Sequence, residues 1–137
     1  MFENPSDEDR RALLRRVKTI AVVGLSPNPA RPSHGVARAM QRFGYSIIPI
    51  HPAATEVLGA KAYRRLSEVH DPIDLVDVFR RAEWIGPIVD DCLALGIKAI
   101  WIQEGIVNEA AAERARDNGM TVVMDRCIFR DHLQLCS

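Results

Sequence analysis

Cysteine is scarce in this chain, and what there is stands badly for two of its usual uses. Cys92, Cys127 and Cys136 are the only three, and no two form a C-x-x-C pair. So sparse and odd a set fits neither a disulfide framework nor a thiolate metal centre, and no metal site is expected. Long apolar runs are also lacking. None approaches the roughly 18 residues that a membrane helix needs. The N-terminal stretch MFENPSDEDRR is acidic and polar, so it does not read as a signal peptide. A reducing, cytoplasmic location without membrane contact is the expectation.

Neither charge sign is in excess. Eighteen basic residues balance eighteen acidic ones. Without a bulk basic field, broad nucleic-acid or membrane-surface binding is not expected, and any anion site must be local. Lysine is rare as well: 15 of the basic residues are Arg and 3 are Lys. The guanidinium fork suits phosphate and carboxylate geometry, although a compositional bias explains most of the fifteen.

What is present is an ordinary globular composition, 47% hydrophobic and 26% charged over 137 residues. That fits one domain over residues 1–137, long enough to bury a core without staples. Residues 6–17 predict a first helix, with Ser6 as N-cap and Asp7, Glu8 and Asp9 in the first turn. Apolar on both faces, Thr19–Gly24 predicts a buried parallel strand. A proline-rich turn follows, and Ser33 is placed to cap a helix carrying Val36, Met40 and Phe43 that stops at Gly44. Further strands are expected at Tyr45–Ile50, Asp74–Phe79, Lys98–Ile102 and Met120–Met124. A short helix near Ala62–Leu66, a helix over Trp84–Leu95, one from Asn108 to Asn118 and a C-terminal helix separate them. Trp84 and Trp101 read as core anchors, and Cys92 as core packing. Asp77, in a strand expected to be buried, predicts a structural ion pair. This alternation implies an α/β fold, a doubly wound Rossmann-like five-stranded parallel sheet with helices on both faces.

Ligands of such folds bind outside the carboxyl ends of the strands. The residues to read there are Gly24-Leu25-Ser26, Ile50-His51-Pro52, Phe79-Arg80-Arg81, Gln103-Glu104-Gly105 and Asp125-Arg126-Cys127. A dinucleotide site needs G-x-G-x-x-G after the first strand and an acid after the second. Gly24 stands without the later glycines, and the second strand ends at His51. A nicotinamide site is therefore not expected. An anion still is, because a helix N-terminus follows Gly24, and Ser26 and Ser33 add hydroxyls.

The strings TIAVVGLSPNPARPSHGVA, IIPIHP, DLVDVFRR, KAIWIQEGI and TVVMDRC, in this order from about Lys18 to Leu133, resemble the small single-domain CoA-binding proteins. They are also similar to the CoA-binding domain of the succinyl-CoA synthetase alpha subunit. The resemblance implies coenzyme A held at the strand ends. Carried over by position, it implies Gly24 and Ser26 on the phosphates, with Arg31 and Ser33 as further donors. Pro49 and His51 would lie along the nucleotide, where the family usually has Asn-Pro and this chain has His51-Pro52. Val78, Phe79, Arg80 and Arg81 would meet the adenosine. Gln103, Glu104 and Gly105 would flank the pantetheine arm, and Asp125, Arg126 and Cys127 would close the site. Arg31, Arg80, Arg81 and Arg126 are the four expected to offset the phosphate charge. A side chain introduced at Gly24 is expected to invade phosphate space while the strand end still folds.

The expected function is thus binding of CoA or acyl-CoA, with no catalytic residues of the chain's own. Neither a phosphorylatable His nor an ATP-grasp unit is expected within these residues. Two alternatives are a CoA-ligase or transferase component that needs a partner subunit, and an NAD-type nucleotide sensor. A protein partner or an oligomer is compatible with all three.

Overall fold

The computed structural model describes residues 1–137. Seven strands run β1 Thr19–Val23, β2 Ser46–Ile50, β3 Glu56–Val57, β4 Ala60–Lys61, β5 Leu75–Val78, β6 Ala99–Ile102 and β7 Thr121–Met124. Five helices run α1 Asp7–Arg16, α2 Pro32–Arg42, α3 Ile85–Leu95, α4 Glu109–Asp117 and α5 Ile128–Cys136. The main sheet has the order β2-β1-β5-β6-β7 with every pairing parallel. This is the doubly wound architecture that the alternating pattern implies.

The strands are apolar on both faces because both faces are covered. One core joins Val76, Val78, Ile100 and Ile102 to α3 and α4 through Val89, Cys92 and Ala112. The other joins Ile20, Val22, Leu75 and Trp101 to α1, α2 and α5 through Leu13, Met40 and Ile128. Ser6 caps α1 by accepting the Asp9 N–H at 3.2 Å, and Asn108 caps α4 by accepting the Ala111 N–H at 3.0 Å. The outer edge of β7 is blunted by one side chain. Asn4 donates to the Met124 carbonyl and accepts the Met124 N–H, both at 2.8 Å, as a neighbouring strand would.

Four local expectations are corrected. Ser33 is not a cap: Pro32 takes the first helical position, where its missing N–H costs nothing, and Arg31 is the N-cap residue. In place of a short helix near Ala62–Leu66 there is a β3–β4 hairpin, turned by Leu58 and Gly59 at positive φ, then a 3-10 turn at Leu66–Glu68. Trp101 is fully buried, but Trp84 is 44% exposed. Asp77 is 1% exposed and makes no ion pair; an amide partners it instead.

Candidate functional site

The strand order fixes where a ligand can enter. From β1 the chain crosses through α2 to β2 on one side, and from β5 it crosses through α3 to β6 on the other. The two crossovers part between β1 and β5, leaving a crevice at their carboxyl ends. Gly24 and Phe79 stand at that switch point, each one residue beyond its strand.

Two neighbouring hollows open there, and Pro32 and Phe79 line both. The first, of about 360 Å³, is lined by Gly24, Ser26, Arg31, Pro32, Ser33 and Phe79. Its walls are a glycine turn and the N-terminus of an 11-residue helix, the arrangement that backbone N–H groups and the helix dipole make favourable for an anion. The loop is stiffened by its own bonds. Ser33 Oγ accepts the Ser26 N–H, Ser26 Oγ accepts the Asn28 N–H, and Asn28 Oδ1 accepts the Ala30 N–H, each at 3.0 Å. Both serine hydroxyls keep a proton to donate.

The second hollow, of about 400 Å³, runs from Arg80 and Arg81 past Gln103 and Glu104 to Cys127 and Arg130, with Val36 and Ile106 as apolar walls. Arg80 lies over the Trp84 ring at 5.2 Å, and neither it nor Arg31 forms an ion pair. Arg81 is 85% exposed with only a loose 3.5 Å contact to Glu83. These three guanidinium groups are available to an anion. Arg130 is held by Glu104 at 2.8 Å across the mouth, and that contact raises its pKa further.

Arg126 stands differently. Its Nε and Nη2 both donate to Asp131, at 2.9 and 2.8 Å, and the carboxylate raises its pKa. Asp131 also receives Arg10 Nε at 2.9 Å, so one buried carboxylate joins α1, α5 and the turn after β7. Arg126 therefore faces a structural partner and lines neither hollow.

Five other candidate residues, Pro49, His51, Val78, Gly105 and Asp125, do not line the cleft. Pro49 is buried within β2, and Val78 is fully buried within β5. His51 Nδ1 accepts the N–H groups of Ala53 and Ala54 at 3.0 and 2.9 Å, shaping the turn after β2 and placing the proton on Nε2. An asparagine oxygen would do the same, so the departure from Asn-Pro keeps the turn chemistry. Asp125, at φ 60°, accepts the Gly105 N–H at 2.7 Å and ties the β6 and β7 turns together. In contrast, Val36, Ile106 and Arg130 do line it, and the sequence reading missed them. Helical spacing is the signal for two: Val36 stands four residues after Pro32, and Arg130 three after Cys127.

Under the floor, Gln103 Nε2 donates to Asp77 Oδ1 at 2.5 Å. Burial pushes the Asp77 carboxyl up to about 7, although the Gln103 bond pulls the other way. A larger hollow of about 480 Å³ lies elsewhere, between the N-terminal segment, α1 and the start of β7. It is at the amino ends of the strands, away from the switch point.

Fold and cleft define a doubly wound α/β domain with its crevice at the β1/β5 switch point. Residues 18–132 match the family model described as CoA binding domain, and the chain belongs to this family. It is 46% identical over 131 residues to an uncharacterized protein of Bacillus subtilis, covering 96% of this chain and 97% of that one. A hypothetical protein from Pyrococcus horikoshii OT3 superposes with a TM-score of 0.92 at 34% identity, covering 100% of both chains. The ADP-forming acetate–CoA ligase of Methanocaldococcus jannaschii is 26% identical over 81 residues. That match takes in 59% of this chain and only 12% of the ligase. No helix is long and apolar enough to cross a membrane.

Proposed function

We propose that this protein holds coenzyme A or an acyl-CoA at the carboxyl ends of β1, β5 and β6, and performs no chemistry on it alone. Gly24, Ser26, Arg31 and Ser33 take the phosphates. Phe79, Arg80 and Arg81 take the adenosine end, and Gln103 and Cys127 flank the pantetheine arm. Pro49, His51, Val78, Gly105, Asp125 and Arg126 belong to the strand ends and turns that carry these groups. Three unpaired cysteines suit a reducing, cytoplasmic setting.

The observation that carries this reading is the pair of neighbouring hollows at the switch point. One is walled by a glycine turn and a helix N-terminus, and the other, of about 400 Å³, has Val36 and Ile106 among its walls. Two such linings side by side fit a ligand with a phosphate-rich end and a less polar arm. The test is calorimetric titration with CoA, acetyl-CoA, dephospho-CoA and NAD. CoA and acetyl-CoA should bind, dephospho-CoA more weakly, and NAD not at all. Binding of NAD without CoA would make the protein a dinucleotide sensor and overturn the reading.

A second reading, a CoA-ligase component, draws on the acetate–CoA ligase match. Under it, the chain converts acetyl-CoA, ADP and phosphate only when a second subunit is supplied. Turnover by the chain alone would overturn both readings.

A further inference from the structure

Asp77 is the one buried acid that no cation pairs; Asp131, the other, is held by Arg10 and Arg126. It sits in mid-sheet, in register with Val22 of β1 and Trp101 of β6. A buried carboxyl without a cation is expensive, and a neutral residue would pack there more cheaply. Its side chain reaches one polar side-chain group, the Gln103 amide.

That amide has two ends. An ionised carboxylate can only accept, so it draws Nε2 inward and leaves Oε1 facing away. Gln103 is 4% exposed overall and lines the second hollow. Its Oε1 receives no hydrogen bond from the protein, and yet no sealed side-chain oxygen or nitrogen lacks a partner. Oε1 is therefore not sealed, and the hollow that Gln103 lines is the space beside that side chain. The cleft thus presents a fixed acceptor beside apolar Val36 and Ile106, distant in kind from the arginines that suit phosphate. An acceptor so placed recognises an N–H or O–H on its ligand.

We infer that Asp77 is a positioning residue, turning Gln103 so that Oε1 accepts an amide N–H from the pantetheine arm. The inference rests on the CoA reading above. Asp77→Asn has nearly the same shape and, unlike the carboxylate, can donate. It lets the Gln103 amide flip and show Nε2 to the cleft, so that a ligand donor meets a donor.

The experiment is titration at pH 8, with thermal melts confirming that each variant is folded. The ligands are CoA, acetyl-CoA and adenosine 3′,5′-bisphosphate, which has no arm. Asp77→Asn should weaken CoA and acetyl-CoA about tenfold and leave the bisphosphate within twofold. In a Gln103→Leu background, Asp77→Asn should add no further loss, because the one residue acts through the other. The side-chain NH₂ signals of Gln103 in the free protein should move on the same substitution.

Equal weakening of CoA and the bisphosphate, or full additivity with Gln103→Leu, would overturn the inference while leaving the CoA reading intact. Loss for free CoA alone would assign the donor to the thiol and overturn the amide assignment. A wild-type protein that binds none of the three ligands would overturn the CoA reading and the inference together.

Discussion

A β-carbon on Gly24 would lie 2.5 Å from the carbonyl oxygen of Phe79. The turn after β1 thus presses on the turn after β5 at the switch point, and backbone cannot move aside as a flexible side chain can. Gly24 also sits at φ +86°, a conformation that other residues adopt only under strain. A side chain at Gly24 therefore strains the turn itself, so the substitution costs stability as well as affinity. Strain alone is worth about 1–3 kcal/mol, and the clash adds to it. Gly24→Ala should lower Tm by about 5 °C or more, with Gly24→Val worse. A thermal melt within 1–2 °C of wild type would contradict the contact.

The arginines divide by partner. Arg31 has no acidic contact and lines the hollow at the N-terminus of α2, whereas Arg126 is forked onto Asp131. Arg31→Ala should weaken CoA about tenfold, flatten the salt dependence of binding and leave Tm unchanged, since a charge-assisted bond contributes roughly 1.5–3 kcal/mol. Arg126→Ala should do the reverse. It should lower Tm and change affinity within twofold, because Arg10 alone would remain on a buried carboxylate. A tenfold affinity loss at Arg126 with Tm intact would place it in the site after all.

Much of this was legible in the chain. A run apolar on both faces declared the first strand, the β/α alternation declared the other four, and punctuation at Gly44, Gly96 and Asn108 declared helix ends. The switch-point residues followed from strand ends alone. What escaped was local geometry with weak patterning, and the choice of side-chain partner. A hairpin of two-residue strands carries no period, and its turn uses Leu58 at φ 54°, where the turn-forming residue types would be looked for. Asp131 gathers Arg126 from five residues away and Arg10 from 121 away, and only the second is beyond local reading. Trp84 looked like core because it is large. In fact the 3-10 turn Ala82–Trp84 leaves it outside, under Arg80.

The raised Asp77 carboxyl has a consequence for stability. It holds its proton up to about pH 7 in the folded protein, against about 4 when unfolded. Between these values the native state binds the extra proton, so stability falls as pH rises from about 4 to 7, then levels off. Three units correspond to roughly 4 kcal/mol. Other carboxylates titrate over part of this range, so the readout is the difference between wild type and Asp77→Asn. The variant should match wild type near pH 4.5 and melt higher at pH 8. Parallel melting curves for the two proteins across this range would show that Asp77 titrates normally.

The three thiols should differ in reactivity by position. Cys92 is fully buried between α3 and the sheet, and burial pushes its thiol up to about 12. Thiolate is the reactive form, so Cys92 should resist alkylation at pH 8 until the protein unfolds. Cys127 and Cys136 are both half-buried and accessible to reagent. Only Cys127 lines the cleft, beside Gln103 and Arg130; Cys136 lies at the far end of α5, against Tyr45. A bound ligand whose arm passes Gln103 must cover Cys127 and cannot cover Cys136. Alkylation with iodoacetamide, read by peptide mass spectrometry, should therefore label both in the free protein. Saturating CoA should slow Cys127 at least tenfold and leave Cys136 unchanged. Equal protection of the two, or of neither under conditions where calorimetry shows CoA bound, would move the arm out of this cleft.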